Sequence, residues 1–188
     1  SEEEIIAKVG LPCFVKPNRS GSSLGISKVH QQSELDAAMQ KAFHEDKEVL
    51  IESFLEGTEV SVGVLNYKGE SMVLGITEIV SHTEFFDYDA KYNGLSDEIT
   101  PARLSEEVEQ RVREVAAKAY SCLNMTGFSR SEYIIVNGEP HFIEMNTLPG
   151  FSPASIFPQQ AAKAGIALED LMDSEIELAL NRKSPWTE

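Results

Sequence analysis

Residues 128–150 read FSRSEYIIVNGEPHFIEMNTLPG, with runs rich in β-branched and aromatic residues on either side of Asn137-Gly138, a strong β-hairpin signal. The two strands are expected at Phe128 to Val136 and Glu139 to Thr147. Residues two apart in a strand share a face with Cα atoms about 6.6 Å apart, so Glu144 and Asn146 can converge on one hard cation. Arg130 and Glu132 share a face of the first strand in the same way. A guanidinium beside a metal-binding carboxylate can stabilise an oxyanion developing next to phosphate. Taken alone, these residues would sooner suit an exposed strand face, a turn and a surface ion pair. Register separates the readings. If Val136 pairs with Pro140 across a three-residue loop, Glu132 lies opposite Glu144 and Arg130 opposite Asn146. A strict two-residue turn pairs Val136 with Glu139 and sends Glu132 to the other face, because a one-residue slip inverts every side chain. A metal site here therefore requires a three-residue loop or a bulge.

Composition narrows the function classes. The chain has 188 residues, 41% hydrophobic and 25% charged, which suits one domain, with room for two lobes, and a sizeable core. With 16 basic and 31 acidic residues the net charge is −15, which repels nucleic-acid backbones, so any phosphate site must be local. Cys13 and Cys122 lack metal or CxxC spacing and are expected to be buried free thiols in a reducing compartment. No apolar run approaches the length of a membrane span, and no basic segment leads into an apolar one at the start. A cytoplasmic protein without a membrane partner is expected. Ser1 opens directly into Glu2-Glu3-Glu4, a short helix without an initiator Met, which suggests a piece of a longer protein.

Outward from the hairpin, Pro12 to Lys16 reads as a buried strand feeding the loop Asn18-Arg19-Ser20-Gly21-Ser22-Ser23-Leu24-Gly25, with a second strand at Ile26 to Val29. Lys16 at the strand end, glycine-freed amides and serine hydroxyls suit a phosphate, although the P-loop pattern is absent and a flexible connection fits as well. Ser33-Glu34-Leu35-Asp36 resembles a capping box opening a helix to about His44. Glu48 to Phe54, Glu59 to Asn66 and Met72 to Val80 read as strands, the last two joined by Lys68-Gly69. Residues 81–100 form a long polar and aromatic stretch, expected as a lid loop, in which FFDYDAKY places Lys91 among aromatics to cover an anionic substrate. Ser105 opens a core-packing helix, Ala167 to Asn181 a second, and Ser184-Pro185-Trp186 reads as a frayed end.

Five stretches in order, VKPNRSGSSLGISKV (Val15 to Val29), LIESFLEGTEVSVGVL (Leu50 to Leu65), FFDYDAKY, GFSRSEY and FIEMNTLPGFSPAS (Phe142 to Ser155), together resemble the ATP-grasp portion of D-alanine-D-alanine ligases. The resemblance implies an α+β ATP-grasp fold of two lobes with mainly antiparallel sheets and packed helices, at residues 1–56 and 57–188, the second carrying the 81–100 lid. It implies that an amino-terminal domain is absent from this chain, which alone would lack full activity. It implies a cytoplasmic, ADP-forming ligase that joins two D-alanines through a D-alanyl phosphate for peptidoglycan synthesis, a homodimer at full length. ATP and two magnesium ions, replaceable by manganese, would be the cofactors. Lys16 and Lys91 would bind ATP phosphates, and the Ser22 loop would cover the γ-phosphate. Glu52, Phe54 and Leu55 would line the adenine pocket, Phe85 would belong to the nucleotide site, and Glu59 would hold the ribose. Glu132, Glu144 and Asn146 would be the metal ligands. Arg130 and the Gly150 amide would form the oxyanion site, Ser155 would receive the carboxylate of the second D-alanine, and Tyr92 would bond Ser22 to close the lid. Two positions depart from the family: Glu132 stands where Asp is usual, and Phe86 where Tyr is common. The alternatives are a ligase that takes D-serine or D-lactate second, and a module that holds Mg-ATP without turnover.

Overall fold

Cys13, Val15 and Pro17 alternate with Phe14 and Lys16, and strand β1 (Cys13–Pro17) buries the first set. In the computed structural model, which describes residues 1–82 and 96–182, β1 pairs antiparallel with β2 (Ser27–Val29) and β3 (Val49–Ser53). Phe85, Phe86, Lys91, Tyr92 and Ser184-Pro185-Trp186 lie outside the described residues. The chain divides into two compact units: Ser1–Glu56 with the described part of Ser81–Asp97, and Gly57–Val80 with the described part of Glu98–Glu188.

In the first unit, helix α1 (Glu2–Val9) is started by a capping box in which the Ser1 hydroxyl accepts from the Glu4 amide and the Glu4 carboxylate accepts from the Ser1 ammonium. Helix α2 (Leu35–Glu45) lays Leu35, Ala38 and Ala42 on Cys13, Val15 and Val29, with Ile5, Ile6 and Val9 of α1 packed on the same core. The expected capping box at Ser33 does not form. Residues Gln32–Glu34 make a 3₁₀ turn instead, and the Glu34 carboxylate turns back to accept from the His30 amide at 2.8 Å. Cys13 is buried, which pushes its thiol up, whereas Cys122 is exposed, contrary to expectation; both are free.

The second unit is built on a five-stranded sheet, order β6-β5-β4-β7-β8, formed by β4 (Thr58–Tyr67), β5 (Glu70–Ser81), β6 (Ser96–Ile99), β7 (Phe128–Val136) and β8 (Glu139–Asn146). One face packs Val60, Val62, Val64, Ile76, Tyr133 and Ile135 against helix α3 (Glu106–Cys122), whose N-cap Ser105 accepts from the Val108 amide. At one end of the other face, Leu65 and Leu74 meet Phe157 and Ala161 of α4 (Ile156–Lys163) and Leu171 of α5 (Leu168–Asn181). With helices on both faces β4 needs little polar alternation, and Val60 to Leu65 are all buried. The stretch 81–100, expected as one loop, is strand at both ends: β5 runs to Ser81, and Ser96–Ile99 joins the sheet edge. The described part of Ser81–Asp97 also groups with the first unit rather than the second. No helix among the described residues is long and apolar enough to cross a membrane.

One ion pair braces this sheet. The Glu78 carboxylate, almost buried on β5, accepts from Arg103 Nε at 2.9 Å, Nη2 at 2.6 Å and the backbone amide at 3.1 Å, which holds it below its ordinary value of 4.5. A lowered folded-state value stabilises the protein above the unfolded value, and the contribution is lost as pH falls through the folded one. Because the Arg103 side chain is largely solvated, Arg103→Met is expected to cost about 1–2 kcal/mol at pH 7. Thermal unfolding of both proteins from pH 7 to pH 3 should show the gap closing in acid; a gap that persists at pH 3 would refute the ion-pair account.

Candidate active site

In the second unit the β7-β8 hairpin combines the two registers that the sequence left open. Its turn has two residues, pairing Val136 with Glu139, and Asn137 and Gly138 take the positive φ values of 52° and 82° that such turns need. Tyr133 pairs with Phe142, yet Glu132 pairs with Glu144, so Ile143 is an extra residue on β8. This bulge reverses the alternation. Glu132 faces Glu144, and Arg130 faces Asn146.

The side chains on this face are already organised. Arg130 Nη2 donates to Glu132 Oε1 at 2.8 Å, with the two side chains only 16% and 8% exposed. Arg130 Nε is buried without a hydrogen-bond partner among the described residues, a donor of the kind that an incoming anion would satisfy. Asn146 Oδ1 accepts from the Leu148 amide at 3.0 Å, which turns the chain out of the sheet towards Pro149-Gly150. Arg130 and the Leu148 amide each take one lone pair, leaving oxygen sites on Glu132 and Asn146 for a cation. Two carboxylates and an amide oxygen form a hard donor set that fits magnesium or manganese. Glu59 lies on the same face, since its β4 neighbour Ser61 pairs with Glu132. Desolvation raises the Glu98 carboxyl on β6, and the charge of Arg130 opposes that shift. Past the hairpin, a Cβ on Gly150 would lie 2.8 Å from Ser155 Oγ, so these two predicted residues are neighbours. Ser155 is the N-cap residue of α4, and its hydroxyl is 2.9 Å from that of Ser152.

In the first unit, Phe14, Lys16, Lys28, Glu52 and Phe54 share the sheet side opposite the α2 core. Lys16 forms an ion pair with Glu52, Lys28 Nζ stands 4.1 Å from the centre of the Phe54 ring, and the Phe14 and Phe54 rings are 6.2 Å apart. An aromatic surface bordered by cations suits a planar heterocycle carrying phosphates. Leu55 follows directly after this strand region. Ser22 and Ser23 both take left-handed φ values of 54° and 58°, a strained arrangement at the tip of the loop after β1. The loop base is pinned by Arg19, which donates to both Asp46 oxygens at 2.7 and 3.0 Å and drives that carboxyl far below its ordinary value. Sequence reasoning missed Lys28, Ser61 and Gln160. Lys28 joins Phe14 only through the β1-β2 register, and none of the three had a local signal.

Two antiparallel sheets with packed helices, a serine-glycine loop after β1 and a hard-oxygen donor set define an α+β fold of the ATP-grasp ligase class. The chain belongs to the D-ala D-ala ligase C-terminus family, whose model matches residues 1–177. It is 63% identical over 177 residues to a D-alanine–D-alanine ligase of Flavobacterium johnsoniae, covering 94% of this chain and 55% of that protein. To the D-alanine–D-alanine ligase of Bacteroides fragilis it is 48% identical, with 94% and 55% covered. Among solved structures, VanG D-Ala:D-Ser ligase from Enterococcus faecalis aligns with a TM-score of 0.82 at 40% identity, over 94% of this chain and 52% of that one. A D-alanine–D-alanine ligase from Bacillus anthracis complexed with ATP aligns with a TM-score of 0.77 at 31% identity, over 93% and 54%. The chain thus spans about half the length of the curated relatives it matches.

Proposed function

We propose that the protein to which this chain belongs is an ATP-dependent, ADP-forming ligase that joins two D-alanines for peptidoglycan precursor synthesis. The observation that carries this reading is the Ile143 bulge, which puts Glu132, Glu144 and Asn146 on one face with Arg130 despite a two-residue turn. The carboxylate of one D-alanine attacks the γ-phosphorus of ATP, giving an acyl phosphate and ADP. The amine of the second D-alanine attacks the acyl carbon, and the tetrahedral intermediate expels phosphate. Arg130 and the Gly150 amide hold the developing oxyanion, and Ser155 receives the carboxylate of the second D-alanine. Lys16 and Lys91 bind phosphates, Ser22 with Tyr92 covers them, Glu52, Phe54, Leu55 and Phe85 hold the base, and Glu59 the ribose. Glu132, Glu144 and Asn146 would hold the magnesium ions, or manganese in their place, whose charge would supply relief of the repulsion between the triphosphate and the attacking carboxylate. We also propose a cytoplasmic homodimer at full length, with residues 1–56 and 57–188 as the two ATP-grasp lobes and a lid within 81–100.

The 40% identity to a D-Ala:D-Ser ligase makes D-serine the competing second substrate. ATP turnover by the full-length protein with D-alanine, D-serine or D-lactate decides between them, D-alanine being expected to be best. On this chain, calorimetric titration with a non-hydrolysable ATP analogue should show magnesium-dependent binding, with the apparent magnesium affinity weakened more than about tenfold in Glu144→Gln. Binding that is indifferent to both EDTA and Glu144→Gln would remove the metal assignment.

A further inference from the structure

Gln160, in the middle of α4, is fully buried, and none of its amide is wasted. Its Nε2 donates to the Ser61 carbonyl and to Thr77 Oγ1, each at 2.9 Å, and its Oε1 accepts from the Gly63 amide at 2.9 Å. Thr77 Oγ1 is in turn 2.7 Å from Thr100 Oγ1. Gly63 lies where the β4-β5 register shifts between Val62 and Val64 and has no Cα partner on β5, so Gln160 completes a ladder that the sheet leaves open. The fit leaves no slack: a Cβ on Gly63 would stand 2.6 Å from Gln160 Oε1.

Across β4, Ser61 pairs with Glu132 and Gly63 with Arg130. Along α4, Gln160 is five residues past Ser155, about 7.5 Å of helix. One amide thus joins the strand backbone behind the proposed oxyanion and metal residues to the helix that begins at the proposed second-substrate serine. Apolar contacts such as Phe157 on Leu65 hold α4 against the sheet but tolerate sliding; three directed hydrogen bonds do not. We propose that Gln160 is a positioning residue that fixes Ser155 relative to Arg130, so that the second amino acid is held in line for attack. The proposal rests on the ligase reading above.

The test is steady-state kinetics on the full-length protein, varying ATP and D-alanine separately, for wild type, Gln160→Met and Gln160→Glu. Methionine keeps the shape and removes all three bonds, whereas glutamate keeps the acceptor for Gly63. In Gln160→Met the KM for the second D-alanine is expected to rise about tenfold with the KM for ATP within twofold, and Gln160→Glu should fall between. A Thr77→Val variant, which removes one bond from outside the helix, should shift the same KM in the same direction and covers the case of a Gln160→Met protein that does not fold. Unchanged KM values alongside a lowered Tm, or equal changes for ATP and D-alanine, overturn the proposal alone. A wild type without D-alanine-dependent ATP turnover overturns the ligase reading and this proposal with it.

Discussion

In the full-length protein, Arg130→Met is expected to lower the proposed ligase turnover by about 10²–10³-fold while also destabilising the second unit, and the two losses have separable causes. The catalytic loss follows from taking away the cation that would meet the oxyanion. The stability loss follows from burial: Glu132 is 8% exposed and accepts from Arg130 at 2.8 Å, so methionine leaves a carboxylate in a dry site with its counter-charge gone. Breaking a buried pair from one side costs about 3–5 kcal/mol. Glu132→Gln in the same chain removes the stranded charge, so the double variant should be more stable than Arg130→Met alone and still inactive. Urea unfolding of the four proteins of this cycle, with turnover measured in parallel, checks both halves. A double variant whose loss equals the sum of the two single losses would mean that the pair carries no coupling, and retained turnover in Arg130→Met would strike it from the oxyanion site.

The fold was readable wherever a local rule governs it. Asn137-Gly138 marked the hairpin because few other dipeptides place two residues at positive φ cheaply, and of the two loop lengths left open the structure takes the two-residue turn. The bulge at Ile143 was deducible only as a condition that a metal site would impose, since adjacent Phe142 and Ile143 break the alternation without saying which strand carries the extra residue. Helix α4 was missed because Pro158 reads as a helix breaker. As the third residue after the N-cap Ser155 it sits in the first turn, where its missing N–H would have had no intrahelical partner. The failed capping box at Ser33 shows the opposite limit: Gln32–Glu34 turn as a 3₁₀ helix, and Asp36, the acid that the box would use, accepts from Gln40 Nε2 at 2.7 Å instead. Lys16 could be placed on a face by parity alone, whereas Glu132 and Glu144 share a face only through the bulge. Gln160 could not be placed so. Its significance lies in contacts 83 to 99 residues away in sequence, which no local pattern encodes.

The largest purely structural effect is expected from Gly57→Ala. A Cβ at Gly57 would overlap the Ile135 carbonyl oxygen and lie 2.8 Å from its carbon and 2.9 Å from Ile134 Cγ2. A side-chain end can swing aside, but Ile135 is held in the ladder between Thr58 on β4 and Pro140 on β8, so relief must come from the backbone itself. Moving Ile135 disturbs the pairing of the strand that carries Arg130 and Glu132. The expected cost is about 3 kcal/mol or more, or a fall in Tm of roughly 6–12 °C. Gly21→Ala is the matched control, because nothing lies within 4 Å of its added Cβ, and it should stay within about 0.5 kcal/mol of the parent. Thermal unfolding of the two variants decides the matter: equal Tm values would mean that β4 and β7 do not approach as closely as described, and the register that builds the metal face would lose its anchor at Thr58.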